Sequence, residues 1–195
     1  MAVETKAQIV AAAGETLKAR GFAGTSTRAI AATGGFNPGL IFYYYGSLHE
    51  LLVAVLAESS AARLARYRSA VEDAATIAEL FVVLRWIYRE DYETGYVRVV
   101  SELVAGGIAH RELGPRVVEL MEPWIELAEG AIERALTDSP FEQMVAPREL
   151  ALAAITFYLG ANLLTQLLDE SAAVERLLDL GEQAAPMLEL LRQPR

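Results

Sequence analysis

Arg28 carries a planar fork of N–H donors, and the chain gathers Thr27, Asn37, Tyr43, Tyr44, Ser47 and His49 within about a score of residues of it. A guanidinium suits both a guanine edge and a phosphate. The hydroxyls, phenols and amide can donate to phosphate oxygens, and an imidazole can do so when protonated. Leu40 offers an apolar contact for a thymine methyl, and Gly39 lets the backbone come close. Such a set suits contact with a duplex and shows no pairing of groups for making or breaking bonds. Two residues keep a second reading. Asn37 can spend its side-chain oxygen on capping a helix, and Tyr43 and Tyr44 can simply pack.

The elements that position these groups are written into the same stretch, Thr25 to Leu51. Asn37 before Pro38 predicts a helix start, since the amide can accept from free backbone N–H groups and proline fits where no donor is needed. Upstream, Gly34 and Gly35 permit the positive φ that ends a helix near Thr33, with Phe36 as an apolar plug under the turn. Ser47-x-x-Glu50 is a capping box that opens a further helix. An earlier helix is expected from Thr5, paired with Gln8, to Gly21, with Ile9, Ala13 and Leu17 as its apolar face.

This arrangement resembles the N-terminal pattern of the tetracycline-repressor (TetR) family. The resemblance rests on Thr25-Ser26, Ile30-Ala31, Gly35, Gly39, Ile41-Phe42, Tyr45, Ser47 and Leu51, together with Ile9, Ala12, Ala13, Leu17, Gly21 and Phe22 of the first helix. It covers roughly the first 56 residues. It implies a helix-turn-helix that contacts DNA through Thr27, Arg28, Asn37, Gly39, Leu40, Tyr43, Tyr44, Ser47 and His49, with Phe42 and Tyr45 nearer the core or interface side. It also implies a homodimer on a palindromic operator in double-stranded DNA, released by a small molecule. Two positions depart from the family: Phe42 lacks the hydroxyl that relatives commonly place on the DNA backbone, and Leu48 stands where they usually carry a lysine.

Composition points the same way. Ala, Leu and Glu are abundant and long alternating Val/Ile/Thr runs are absent, so the expected fold class is all-α: about nine helices, an N-terminal three-helix domain over residues 1–50 and a helical ligand-binding and dimerisation domain over 51–195. The net charge of −9 is unevenly spread. Lys6, Lys18, Arg20 and Arg28 against Glu4, Glu15 and Glu50 give residues 1–50 a charge of +1, leaving −10 for the rest. An acidic whole does not exclude DNA, because phosphate contact needs only a local donor surface. With no cysteine there are no disulfides or thiolate metal sites. The start shows no basic segment followed by an apolar run, so a cytoplasmic location is expected. Leu150 to Leu168 is free of charge and long enough to span a bilayer, but Thr156, Asn162, Thr165 and Gln166 interrupt it, and burial all round in a bundle or dimer is the expectation.

Beyond residue 56 the reading rests on periodicity. A fourth helix is expected to about Tyr67, a fifth through Ile77, Leu80, Phe81, Leu84 and Tyr88, and a sixth through Tyr92, Tyr96, Val99 and Leu103, ended by Gly106-Gly107. Pro123 should kink a long seventh helix, and Gly181 and Pro186 should weaken the end of the last. Candidate ligand-binding residues are Trp86, Tyr92, Tyr96, Met121, Trp124 and Tyr158, with Arg98, Glu102, His110 and Asn162 as polar groups on apolar helices; for each aromatic, core packing is the competing reading. Arg98 and Glu102 can also be a surface ion pair, and Asn162 with Gln166 can anchor a ligand or a partner subunit. No catalytic motif, metal site or cofactor is expected: G-x-S-x-G, Gly-Lys phosphate loops and H-E-x-x-H are missing, and His49 and His110 fall in separate predicted domains. The competing function is a helical small-molecule or partner-binding protein with a weakened DNA-binding head.

Overall fold

A computed structural model describes residues 2–140, 142–168 and 171–189. Among the described residues the chain forms nine helices and no strand: α1 (Ala2–Gly24), α2 (Thr27–Gly34), α3 (Gly39–Tyr45), α4 (Leu48–Asp73), α5 (Ile77–Glu93), α6 (Tyr96–Ala109), α7 (Gly114–Leu136), α8 (Pro147–Leu168) and α9 (Ala172–Glu189). They make two compact units. The first comprises Met1–Ala62 with Gly95–Leu120, the second Arg63–Thr94 with Met121–Arg195.

In the first unit the expected apolar face of α1, Ile9, Ala13 and Leu17, is fully buried, along with Ile30 of α2, Ile41 of α3 and Leu51 and Leu52 of α4. Each such aliphatic side chain contributes about 1.5–3 kcal/mol by leaving water. The helix α1 begins earlier than the Thr5 box predicts, so Thr5 lies inside it, and Gln8 Nε2 instead donates to the Gly34 carbonyl at 2.9 Å. Gly21 does break the helical path, with φ 66° and ψ 178°. At that break the Phe22 N–H donates to Glu102 of α6 at 2.6 Å.

Gly106 and Gly107 do not end α6, which runs on to Ala109. Their function is close approach: a Cβ on Gly106 would lie 2.3 Å from the Phe22 ring, so that ring occupies the notch left by the missing side chain. The true break before α6 is Gly95, at φ 71°, which places Tyr92 on α5 rather than α6. Thr76 and Glu79 form a full capping box at the start of α5, and α4 extends to Asp73, beyond the expected Tyr67.

In the second unit Tyr67, Val71, Ile87, Leu127 and Ala131 form one buried cluster, and Tyr88, Ala161, Val174 and Leu178 another. The helix α9 runs through Gly181 and Pro186 instead of failing there, and α7 likewise passes through Pro123. Gly181 again makes room for an aromatic ring, since its Cβ would lie 2.1 Å from Phe81 of α5. Beside this contact Arg85 of α5 binds Glu175, Asp179 and Glu182, one residue per turn of α9, at 2.7, 2.6 and 2.6 Å.

The helix α8 has the expected start at Pro147, but it is not buried all round. By length and composition alone it could cross a membrane, and only 22% of its most apolar window is buried within the chain. Ala151, Ala161, Asn162 and Thr165 face inward, while Leu152, Phe157, Leu163, Leu164 and Leu167 are exposed.

Candidate nucleic-acid interface and ligand site

The start of α2 is fixed by Ser26, whose Oγ accepts from the Ala29 N–H at 3.2 Å. This leaves Thr27 half-buried and Arg28 exposed in the first turn, where a side chain can reach outward. The helix ends at Gly35 in the left-handed region, φ 69°, and the Phe36 ring lies over Gly34 and Ala12. Asn37 then caps as the sequence suggests, its Oδ1 accepting from the Gly39 N–H at 2.8 Å, so that oxygen is spent on the backbone. Gly39 is exposed and Leu40 half-buried at the front of α3.

In the aromatic run Ile41 and Tyr45, one turn apart, face inward; Tyr45 donates from its hydroxyl to the Lys6 carbonyl at 3.1 Å. Phe42, expected on the core or interface side, is not in the core but 55% exposed, and Tyr43 is 79% exposed. Once Ile41 is committed to the core, the next two positions turn about 100° and 200° away from it. Tyr44 is half-buried and meets Tyr43 edge-on, with ring centroids 4.9 Å apart. Ser47 Oγ accepts from the Glu50 N–H at 3.0 Å, while the Glu50 carboxylate accepts from Arg116 Nη1 at 3.1 Å.

The two histidines, expected in separate domains, meet in the first unit with ring centroids 5.0 Å apart. His49 sits in the first turn of α4 and His110 caps the end of α6. Sequence reading separated them because they are 61 positions apart; only the packing of α6 into the N-terminal unit joins them. Of the other ligand candidates in this unit, Glu102 is engaged with the break in α1, and Arg98 is exposed, one turn from it.

In the second unit a buried carboxylate that sequence reading missed holds the candidates together. Asp91 of α5 is 1% exposed. It forms an ion pair with Arg63 of α4 and accepts hydrogen bonds from Tyr158 of α8 and, at 3.1 Å, from Tyr67 of α4. Burial pushes the Tyr67 phenol upward against the pull of Arg63 and Arg66, keeping it a proton donor. Around Tyr67 stand Trp86 at 4.9 Å and Trp124 at 6.4 Å between ring centroids. One turn beyond Tyr158, Asn162 is 1% exposed with neither side-chain polar atom hydrogen-bonded. Thr165, not Gln166, shares its buried face and bonds the Tyr88 hydroxyl. Tyr92 is exposed and Met121 half-buried; Tyr96 is half-buried in the first unit. Asp91 sits within the polar run Arg89-Glu90-Asp91, which reads as a solvated face, so only the Arg63 and Tyr67 spacing on α4 hinted at it.

A short helix, a glycine turn and a second short helix with its front exposed, packed on α1 and followed by a helical second unit, define the class of helix-turn-helix transcriptional regulators. Residues 9–55 match the family model of bacterial regulatory proteins, tetR family. That segment is similar to the family's DNA-binding head, and over 91% or more of its length the chain shares the fold of solved regulators. Its fold is similar to FadR of Bacillus subtilis in complex with stearoyl-CoA, at TM-score 0.78 and 15% identity over 91% of this chain and 96% of that one. A TetR-family regulator from Cytophaga hutchinsonii gives 0.77 and 14% over 98% and 96%. FadR of Bacillus halodurans gives 0.75 and 17% over 92% and 93%. No curated protein matches the chain in sequence.

Proposed function

We propose that this chain is a ligand-responsive, sequence-specific DNA-binding regulator that acts as a repressor and leaves its operator when a small molecule binds. The observation that carries the reading is the exposure of Arg28, Gly39 and Tyr43, with Leu40 and Tyr44 half-buried beside them, on two short helices with capped starts within the family segment. DNA contact through these groups, with Thr27, Asn37, Ser47 and His49 on the backbone side, belongs to residues 1–50, and effector binding to 51–195. The protein works as a cytoplasmic homodimer on a palindromic operator and needs neither catalysis, cofactor nor membrane. Its subunits join through the exposed apolar faces of α8 and α9, which include Leu163, Leu167 and Leu180.

The effector site is the Asp91 cluster with Trp86, Trp124, Tyr158 and Asn162. Asn162 supports this, because a buried amide without partners forfeits about 1–3 kcal/mol that a ligand group can restore. The signal travels along α4, which begins beside the recognition helix and carries Arg63 and Tyr67 further on. Altered spacing of two recognition helices spoils their fit to half-sites about 34–36 Å apart.

Gel shift on the region upstream of the chain's own gene, with competitor DNA and varied salt, tests the DNA reading. Arg28→Ala should lower operator affinity by about 1–3 kcal/mol if it reads a base, or reduce the salt slope by about one if it contacts phosphate. Binding that never survives competitor DNA would instead favour the helical ligand- or partner-binding protein, a reading supported by Phe42, Leu48 and the charge of +1 on residues 1–50. A thermal-shift screen of metabolites and antibiotics, with stearoyl-CoA as one probe, tests the effector site.

A further inference from the structure

We infer that His49, His110 and Glu112 form a site for a divalent transition-metal ion, of which Zn²⁺ is the natural probe. These are the only two histidines in 195 residues, and two stretches of chain distant in sequence bring them to one place with Glu112: the first turn of α4 and the turn between α6 and α7. Their nearest ligand atoms all lie within 4.8 Å of one another. His49 Nδ1 is 3.3 Å from Glu112 Oε1, and His110 Nδ1 is 4.0 Å from the same oxygen.

Two imidazole nitrogens and one carboxylate oxygen face a common point, with His110 at 4.0 Å, beyond hydrogen-bond distance of that oxygen. The donor set is two nitrogens and one oxygen. Imidazole selects Zn²⁺, Ni²⁺, Cu²⁺ and their neighbours over Ca²⁺ and Mg²⁺, which take oxygen ligands. Bonds of about 2.0–2.1 Å to a tetrahedral zinc put ligand atoms roughly 3.3 Å apart, so the present separations need closing by no more than about 1.5 Å. Side-chain torsions can supply that, because the histidines are half-buried and Glu112 is exposed. The backbone beneath is set: the His110 N–H donates to the Gly106 carbonyl and its carbonyl accepts from Leu113, both at 2.9 Å. The Phe22 ring, 5.6 Å from His110, limits one side of that imidazole.

Three protein ligands leave a fourth position for water or an external donor. An ion here ties the first turn of α4 to the end of α6 within the first unit. The inference does not depend on the effector reading, because it uses none of the groups around Asp91.

The test is calorimetric titration of ZnCl2 into the full-length, tag-free, chelator-treated protein, with Co²⁺ absorption as a second readout. The expected result is one ion per chain, a raised Tm and a visible Co²⁺ band of tetrahedral type. His49→Gln, His110→Gln and Glu112→Gln should each weaken Zn²⁺ at least tenfold. Glu112→Gln lies on an exposed turn and keeps the variant set interpretable if a histidine variant fails to fold. Failure of the wild type to bind Zn²⁺, or retention of wild-type affinity by Glu112→Gln together with either histidine variant, would overturn the assignment. Loss of DNA binding in the same variants with Zn²⁺ affinity intact would overturn it too and assign the cluster to the DNA-binding head alone.

Discussion

Asp91 shows how one residue organises many. Its carboxylate is withdrawn from water and answered by a guanidinium and two phenols from two other helices. Removing one partner of such a pair strands the other charge. Asp91→Asn is therefore expected to destabilise the chain by about 3–5 kcal/mol, read as a lowered urea midpoint. Arg63→Met combined with Asp91→Leu should recover part of that loss, because it removes both charges and leaves only the Tyr67 and Tyr158 hydroxyls without their acceptor. Both variants should lose any effector-induced thermal shift. A double variant as unstable as the single one would show that the phenols, rather than the ion pair, hold the site. Little of this was legible in the sequence, where Asp91 sits in an ordinary polar run and only the spacing of Arg63 and Tyr67 hinted at it. Asn37 was legible, because capping is local and its geometry follows from the two residues beside it.

Helix starts were readable where a side chain answers its own backbone, as at Ser47, or where a proline fits the donor-free first turn, as at Pro147. Helix ends were misread wherever a glycine serves a distant partner. Gly106 and Gly181 look like terminators, yet each houses a ring, Phe22 or Phe81, from a helix far away in sequence. The same distance effect hides the ladder between α5 and α9, where Arg85 and Arg89 reach Glu175. The hydrogen bond from Arg89, backed by Arg85, holds the Glu175 carboxyl below its ordinary value of 4.5 despite partial burial. A lowered folded pKa stabilises the protein above the unfolded value, and the contribution is lost as pH falls through the folded one. Wild type should thus exceed Glu175→Gln by roughly 1 kcal/mol at neutral pH, since partly exposed pairs are screened, and the gap should close below about pH 4. Urea midpoints measured across that range check it. A gap that widens on acidification would refute the ladder.

For the molecule as a whole, the fold class was legible from composition and periodicity, but the exposure of α8 was not. The expectation of burial all round overlooked that one stripe alone faces its own chain. Leu167 is 72% exposed, and neighbouring Leu163 and Leu164 extend the patch. If subunits join there, Leu163→Glu with Leu167→Glu should convert a dimer to monomers in sedimentation while leaving helix content intact. An unchanged dimer would move the interface elsewhere. The segmented make-up of the first unit has a consequence for its biogenesis. The Phe22 ring finds its notch, and the Phe22 N–H its acceptor Glu102, only on α6, which follows more than 30 residues after the N-terminal part of the unit ends at Ala62. At about 5–20 residues per second, a ribosome leaves that surface open for an interval on the order of several seconds. Protease protection of the N-terminal segment on stalled nascent chains should appear when Leu120 emerges rather than when Ala62 does.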